Sequence, residues 1–166
     1  MFFAFTATPK YKTLQVFGHK DANGKPKVKP IVGCEFYVVE NRHKRTFTKE
    51  DRDKRFHQLF LAKNEEGYRN LTKLCSLGFI EGLYGKYPRI DKDLIVQYHK
   101  GLIATTCCLG ALVPQTILKK GEEEGEREFR WWLDLFGDDY YVELQRHGIP
   151  EQEQVNKVLL KLAVKY

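Results

Sequence analysis

Apolar and polar positions change period several times along the chain, and each change marks an element. Residues 31–39, IVGCEFYVV, are a short β-branched and aromatic run between Pro30 and a charged block. That pattern predicts a buried strand. FHQLFLA, residues 56–62, predicts a second strand. In residues 64–82, NEEGYRNLTKLCSLGFIEG, Leu71, Leu74, Cys75 and Leu77 recur at helical spacing behind two acids, which predicts a helix. GKYPRI reads as a turn, and DKDLIVQYHK as a short helix with Asp91 at its N-cap. GLIATT, residues 101–106, predicts a third strand. Two helices follow in succession, LGALVPQTILKK with Pro114 near the first turn and EEEGEREFRWWLDLFG with a glycine stop. YYVELQ, residues 140–145, predicts a fourth strand, and PEQEQVNKVLLKLAVKY a last helix with proline in its first turn. Residues 1–17 show no clear period, and the Gly-, Lys- and Pro-rich stretch 18–30 reads as a loop or linker. Strands alternating with helices argue for an α/β fold with a largely parallel sheet.

Composition narrows the class. The chain has 166 residues, 13% aromatic and 30% charged, enough for one folded domain with a real core. No apolar run has the length of a membrane helix, and MFFAFTATPKYK lacks the layout of a signal peptide. The expected setting is therefore cytoplasmic, with no membrane partner. The net charge of +6 is spread out, and the densest basic segment, residues 42–55, already contains acids. It reads as a solvated loop rather than a DNA-contacting strip. The four cysteines, Cys34, Cys75, Cys107 and Cys108, form no C-x-x-C pair, which argues against both a disulfide framework and a self-contained zinc finger.

In α/β folds ligands gather at the carboxyl ends of parallel strands. Cys107 and Cys108 follow the GLIATT strand, His147 follows YYVELQ, and Glu35 lies within or near the end of IVGCEF. His57 begins its strand, so it joins that rim only if its strand runs antiparallel or the preceding loop folds over. Together these are the donor types that suit zinc or a similar divalent ion. Each also has an ordinary account. Glu35 is then a satisfied polar residue, His57 a core histidine, His147 a solvated loop residue, and both cysteines small buried hydrophobes. His43 and His99 read as exposed or structural, His19 has no visible partner, and Cys75 reads as core. One of Trp131 and Trp132 is expected in the core and the other partly exposed. No Walker loop and no G-x-S-x-G elbow occurs.

Five segments, KPIVGCEFYV, FHQLFLAKNEEGYRNLTKL, PRIDKDLI, GLIATTCCLGALVPQ and LFGDDYYVELQRHGIPEQEQVN, resemble in order the PHP (polymerase and histidinol phosphatase) domain of bacterial replicative DNA polymerase alpha subunits of the polymerase III family. The resemblance runs over residues 29–166 as a partial PHP domain, with residues 1–28 unassigned apart from a weak likeness of MFFAF to a family helix. It implies a partial distorted (βα) barrel, incomplete at both ends, with a cleft of metal ligands. Carried over, the family's motifs place those ligands at Glu35, His57, Cys108 and His147, so that Cys108 is the ligand of the pair and Cys107 the core residue. The implied cofactor is a divalent metal, zinc first and manganese or magnesium next, serving phosphoester hydrolysis of the 3′–5′ exonuclease type. The alternative role is a non-catalytic scaffold for replisome subunits.

The family also carries a His-x-His motif, an Asp-His-Gly motif and a later Asn-Asp-x-His motif, none of which occurs here. The chain is thus expected to be an internal fragment with about half the family's ligands. The parent would be a DNA-directed DNA polymerase, partnered by DNA and other replisome subunits. The fragment alone is expected to be inactive, with its metal residues empty or partly occupied and with exposed edges that favour a homo-oligomer.

Overall fold

The computed structural model describes residues 19–20, 22–24, 26–27 and 31–166; the expectations for residues 1–17 fall outside it. Within the 18–30 linker, β1 (His19–Lys20) and β2 (Pro26–Lys27) pair as a short antiparallel hairpin.

The central sheet joins β3 (Gly33–Val38), β4 (Phe56–Ala62), β5 (Arg89–Ile90), β6 (Leu102–Thr105) and β7 (Tyr140–Tyr141) in the order β5-β3-β4-β6-β7. Its helices are α1 (Glu65–Ile80), α2 (Lys92–Tyr98), α3 (Leu112–Lys120), α4 (Glu122–Phe136) and α5 (Pro150–Lys165).

The sheet is mixed, not largely parallel. β3 pairs in parallel with β5, and β6 with β7, but β4 runs antiparallel to both β3 and β6. The connection from β3 to β4 contains no helix. Without a crossover helix, an adjacent strand returns in the opposite direction. Two local expectations also change. The tail of GKYPRI is a strand, β5, laid along β3. Only Tyr140 and Tyr141 of YYVELQ enter the sheet, because the chain then turns to bind threonine hydroxyls: Glu143 N–H donates to Thr106 Oγ1 at 2.9 Å, and Thr105 Oγ1 donates to Glu143 Oε2 at 2.8 Å.

The register sorts side chains onto two faces. Cys34 pairs with Phe60 and Phe36 with Gln58, while Glu35 pairs with Leu59 and Tyr37 with His57. Because strand side chains alternate, the first set shares one face and the second set the other. The first face is covered by helices. Phe36, Val38, Phe60, Leu102 and Ala104 lie buried there with Leu74, Trp132 and Phe136. Phe60 is fully buried, with its ring centroid 5.7 Å from Phe36 and 5.7 Å from Phe136. The second face is open: Glu35 is exposed, and Tyr37, His57, Leu59, Leu61 and Ile103 are half-buried.

Helix ends follow local chemistry. Asn64 caps α1 by accepting from Gly67 N–H at 2.9 Å, and Asp91 caps α2 by accepting from Leu94 N–H at 3.2 Å. Trp132 is buried and donates its indole N–H to Glu128 at 3.0 Å, while Trp131 is half-buried under the Lys92 ammonium.

The basic segment 42–55 is a loop, largely exposed but tied down by its own cations. Arg42 binds Asp91 at 2.7 Å and Glu81 at 2.7 Å. The fully buried Arg89 guanidinium reaches into the loop to Asp53 at 2.8 Å and to the Lys44 carbonyl at 2.8 Å. Buried charges of this kind are tolerated because each is paired.

Candidate metal centre

The antiparallel run of β4 decides where His57 goes. Its N-terminal end lies beside the chain leaving the carboxyl end of β6, and His57 N–H donates to the Gly110 carbonyl at 3.0 Å. Glu35 reaches the same place across the open face from β3. His57 Nδ1 stands 2.8 Å from Glu35 Oε1 and 3.3 Å from Cys108 Sγ. Three elements thus supply a carboxylate, an imidazole and a thiol to one point. The Tyr37 ring meets the His57 ring edge-on, centroids 5.5 Å apart.

Two backbone features shape the CCLG turn. Cys107 adopts φ 56°, a left-handed conformation that costs a non-glycine residue energy. Its N–H is held by Thr105 Oγ1 at 3.1 Å, and the chain reverses there to bring Cys108 against His57. Gly110 lies so close that a Cβ would come within 3.1 Å of His57 Nδ1, so a larger residue there would crowd the imidazole.

Cys107 is buried at 6% exposure, and burial pushes its thiol up to about 12. It nevertheless stays near the cluster: Glu35, Cys107 and Cys108 bring a carboxylate oxygen and two sulfurs within 4.8 Å of one another. Sequence reasoning assigned Cys107 to the core. The signal for its second aspect was adjacency in a tight turn, which spacing does not resolve.

His147 is held elsewhere. Its N–H donates to Gln152 Oε1 at 2.9 Å, and its Nδ1 lies 3.1 Å from Gln152 Nε2. No contact joins it to Glu35, His57 or Cys108 among the described residues. Gln152, on α5, is nearly fully buried and also lines a cavity of about 10 Å³ with Cys107, Cys108, Glu143, Gln145 and Asn156. That is room for about one water between the Cys108 turn and the His147 loop. Asn156 holds that loop by donating to the Gln145 carbonyl at 2.8 Å. Gln152 and Asn156 were not singled out from sequence. Their one trace was polar residues on the inward face of an amphipathic helix.

The remaining candidates are structural. His43 is exposed, and the ring of His99 binds the Val96 carbonyl at 2.8 Å at the end of α2. Cys75 is half-buried and its Sγ meets Cys34 Sγ at 3.7 Å. Among the described residues, no helix is long and apolar enough to cross a membrane.

Comparison with known proteins identifies the family to which this mixed α/β scaffold belongs. Residues 3–147 match the PHP domain family, and the chain belongs to that family. It is similar to the DNA polymerase III subunit alpha of Borreliella burgdorferi, at 44% identity over 86% of this chain and 12% of that protein. The same-named protein of Deinococcus radiodurans is 43% identical over 80% of this chain and 10% of its own length. That of Thermus aquaticus is 44% identical over 84% of this chain and 11% of its own length. The chain therefore spans about a tenth of the length of these relatives.

Proposed function

We propose that this chain is part of the PHP domain of a replicative DNA polymerase alpha subunit and that Glu35, His57, Cys108 and His147 are its divalent-metal ligands. One observation carries the metal reading. A carboxylate oxygen and a sulfur both face the same ring nitrogen of His57, at 2.8 and 3.3 Å. A single Nδ1 proton serves two such acceptors poorly, whereas a shared cation suits all three donors at once. Glu35 and a Cys108 thiolate would balance the charge, and neutral His57 would offer its lone pair. Zinc fits this nitrogen, oxygen and sulfur mixture best, with manganese or magnesium next. A bound ion would act as a Lewis acid for phosphoester hydrolysis of the 3′–5′ exonuclease type.

His147 joins this set through the family motif, and its partner Gln152 lines a cavity together with Cys108. The mixed sheet with helices on one face is consistent with part of a distorted (βα) barrel. The setting is cytoplasmic, and DNA and other replisome subunits are contacted through the longer parent. Elemental analysis of the purified chain, after titration with zinc and with manganese, tests the metal reading. Near-stoichiometric uptake that falls in both His57→Ala and His147→Ala supports the four-ligand set. Absence of uptake by the unmutated chain rejects it.

A second reading, a non-catalytic scaffold for replisome subunits or a self-associating module, is supported by the open sheet face. Leu59, Leu61 and Ile103 remain half-buried on it. A metal-free chain that elutes as a dimer would favour it.

A further inference from the structure

The second cysteine pair lies on the helix-covered side of the same sheet. Cys34 on β3 and Cys75 on α1 hold their Sγ atoms 3.7 Å apart, and both thiols are half-buried rather than sealed in the core. Beside them is a cavity of about 110 Å³ lined by Cys34, Cys75, Tyr37, Phe79 and Pro88, and Phe79 on its rim is 59% exposed. A small oxidant can therefore reach sulfur from solvent. A disulfide needs the sulfurs about 2.05 Å apart, a short closure for two side chains already in contact.

We propose that Cys34 and Cys75 form a modification site for small hydroperoxides, which convert the pair to a disulfide tying α1 to β3. The Cys75 sulfur attacks the peroxide O–O bond, takes one oxygen as a sulfenic acid, and the other oxygen leaves as water or an alcohol. The Cys34 sulfur then displaces that hydroxyl as water and the S–S bond forms. Two thiols lose two electrons and two protons, and one peroxide takes them up.

Cys75 is the better attacking sulfur. The hydrogen bond it shares with the Cys34 sulfur lowers Cys75 to about 7, which outweighs the opposing effect of burial. Reactive cysteines are commonly paired in this way with a resolving thiol. The link would clamp the strand whose next residue, Glu35, points to the opposite face. The inference does not depend on the metal reading.

Treat the full chain with hydrogen peroxide, then compare intact mass and non-reducing peptide maps before and after dithiothreitol. The expected product has lost two hydrogens, contains a peptide joining Cys34 to Cys75, and reverts on reduction. In Cys34→Ser the link is absent and Cys75 accumulates as a sulfenic acid that dimedone traps. In Cys75→Ser no intramolecular link forms at Cys34. Oxidation that goes first to Cys107 or Cys108, or that leaves Cys75 unlinked in the unmutated chain, would overturn the proposal.

Discussion

On one face of the central sheet Phe36, Val38, Phe60 and Ala104 are buried under helices; on the other, Glu35, Tyr37, His57 and Leu59 remain open. Both faces come from the same strands, offset by a single residue. The covered face is mostly apolar, its one buried amide, Gln58, being hydrogen-bonded to the Thr105 carbonyl, and its worth is chiefly area removed from water. The open face carries the polar donors, where burial would cost more than it returned unless each were paired. The difference teaches that stability and chemistry are divided between faces rather than between segments, so mutations one residue apart should have unlike effects.

The largest effect is expected on the covered face. Phe60→Ala should destabilise the chain by about 3–5 kcal/mol, read from urea denaturation, because a fully buried ring leaves a cavity against Phe36 and Phe136. Its open-face partner in the comparison is His57→Ala. That change should abolish metal uptake while the far-ultraviolet circular dichroism spectrum stays native. Equal loss of fold in the two variants would erase the distinction between faces.

A smaller effect is expected at Gln152→Leu. Releasing His147 from the Gln152 amide should weaken zinc affinity by about 10–100-fold, the range for groups that orient a ligand. Calorimetry should register no such loss if His147 takes no part in binding.

The alkaline limb of stability tests the covered side differently. Burial raises the Tyr140 phenol well above its ordinary value of 10.0. The folded state therefore keeps a proton that the unfolded chain releases. That contribution is fully present below pH 10 and is lost as pH rises past it toward the folded value. Tyr140→Phe should flatten the decline in melting temperature above pH 10, and an unchanged slope would count against the assignment. The smallest change is expected for Glu35→Gln, within about 0.5 kcal/mol in stability, since the residue is exposed. Its metal affinity should nevertheless fall.

Much of the fold was legible because its signals are local. The Asp91 cap, the proline in the first turn of α5 and the acidic start and glycine stop of α4 all follow from neighbours in sequence, whereas β3, read as a buried strand, has one face open because no helix covers it. The short β5 was not legible, because two residues carry no period and Arg89 and Ile90 become a strand only beside β3. The same holds for the end of YYVELQ, where the hydroxyls of Thr105 at the end of β6 and of Thr106 just beyond it bind Glu143 outside the sheet.

The candidate site divides the same way. Residue types and family motifs named Glu35, His57, Cys108 and His147 in advance. The strand-end rule alone left His57 out, because it assumed a parallel neighbour. Only the antiparallel direction of β4 carries His57 to the Cys108 turn, and only the register of β3 against β4 puts Glu35 on the same face. By itself the sequence determined which side chains are chemically able to share an ion, since donor type belongs to each residue. Tertiary structure decided which of them meet, holding Glu35, His57 and Cys108 together and His147 on Gln152, because strand direction and register depend on contacts between residues far apart in the chain.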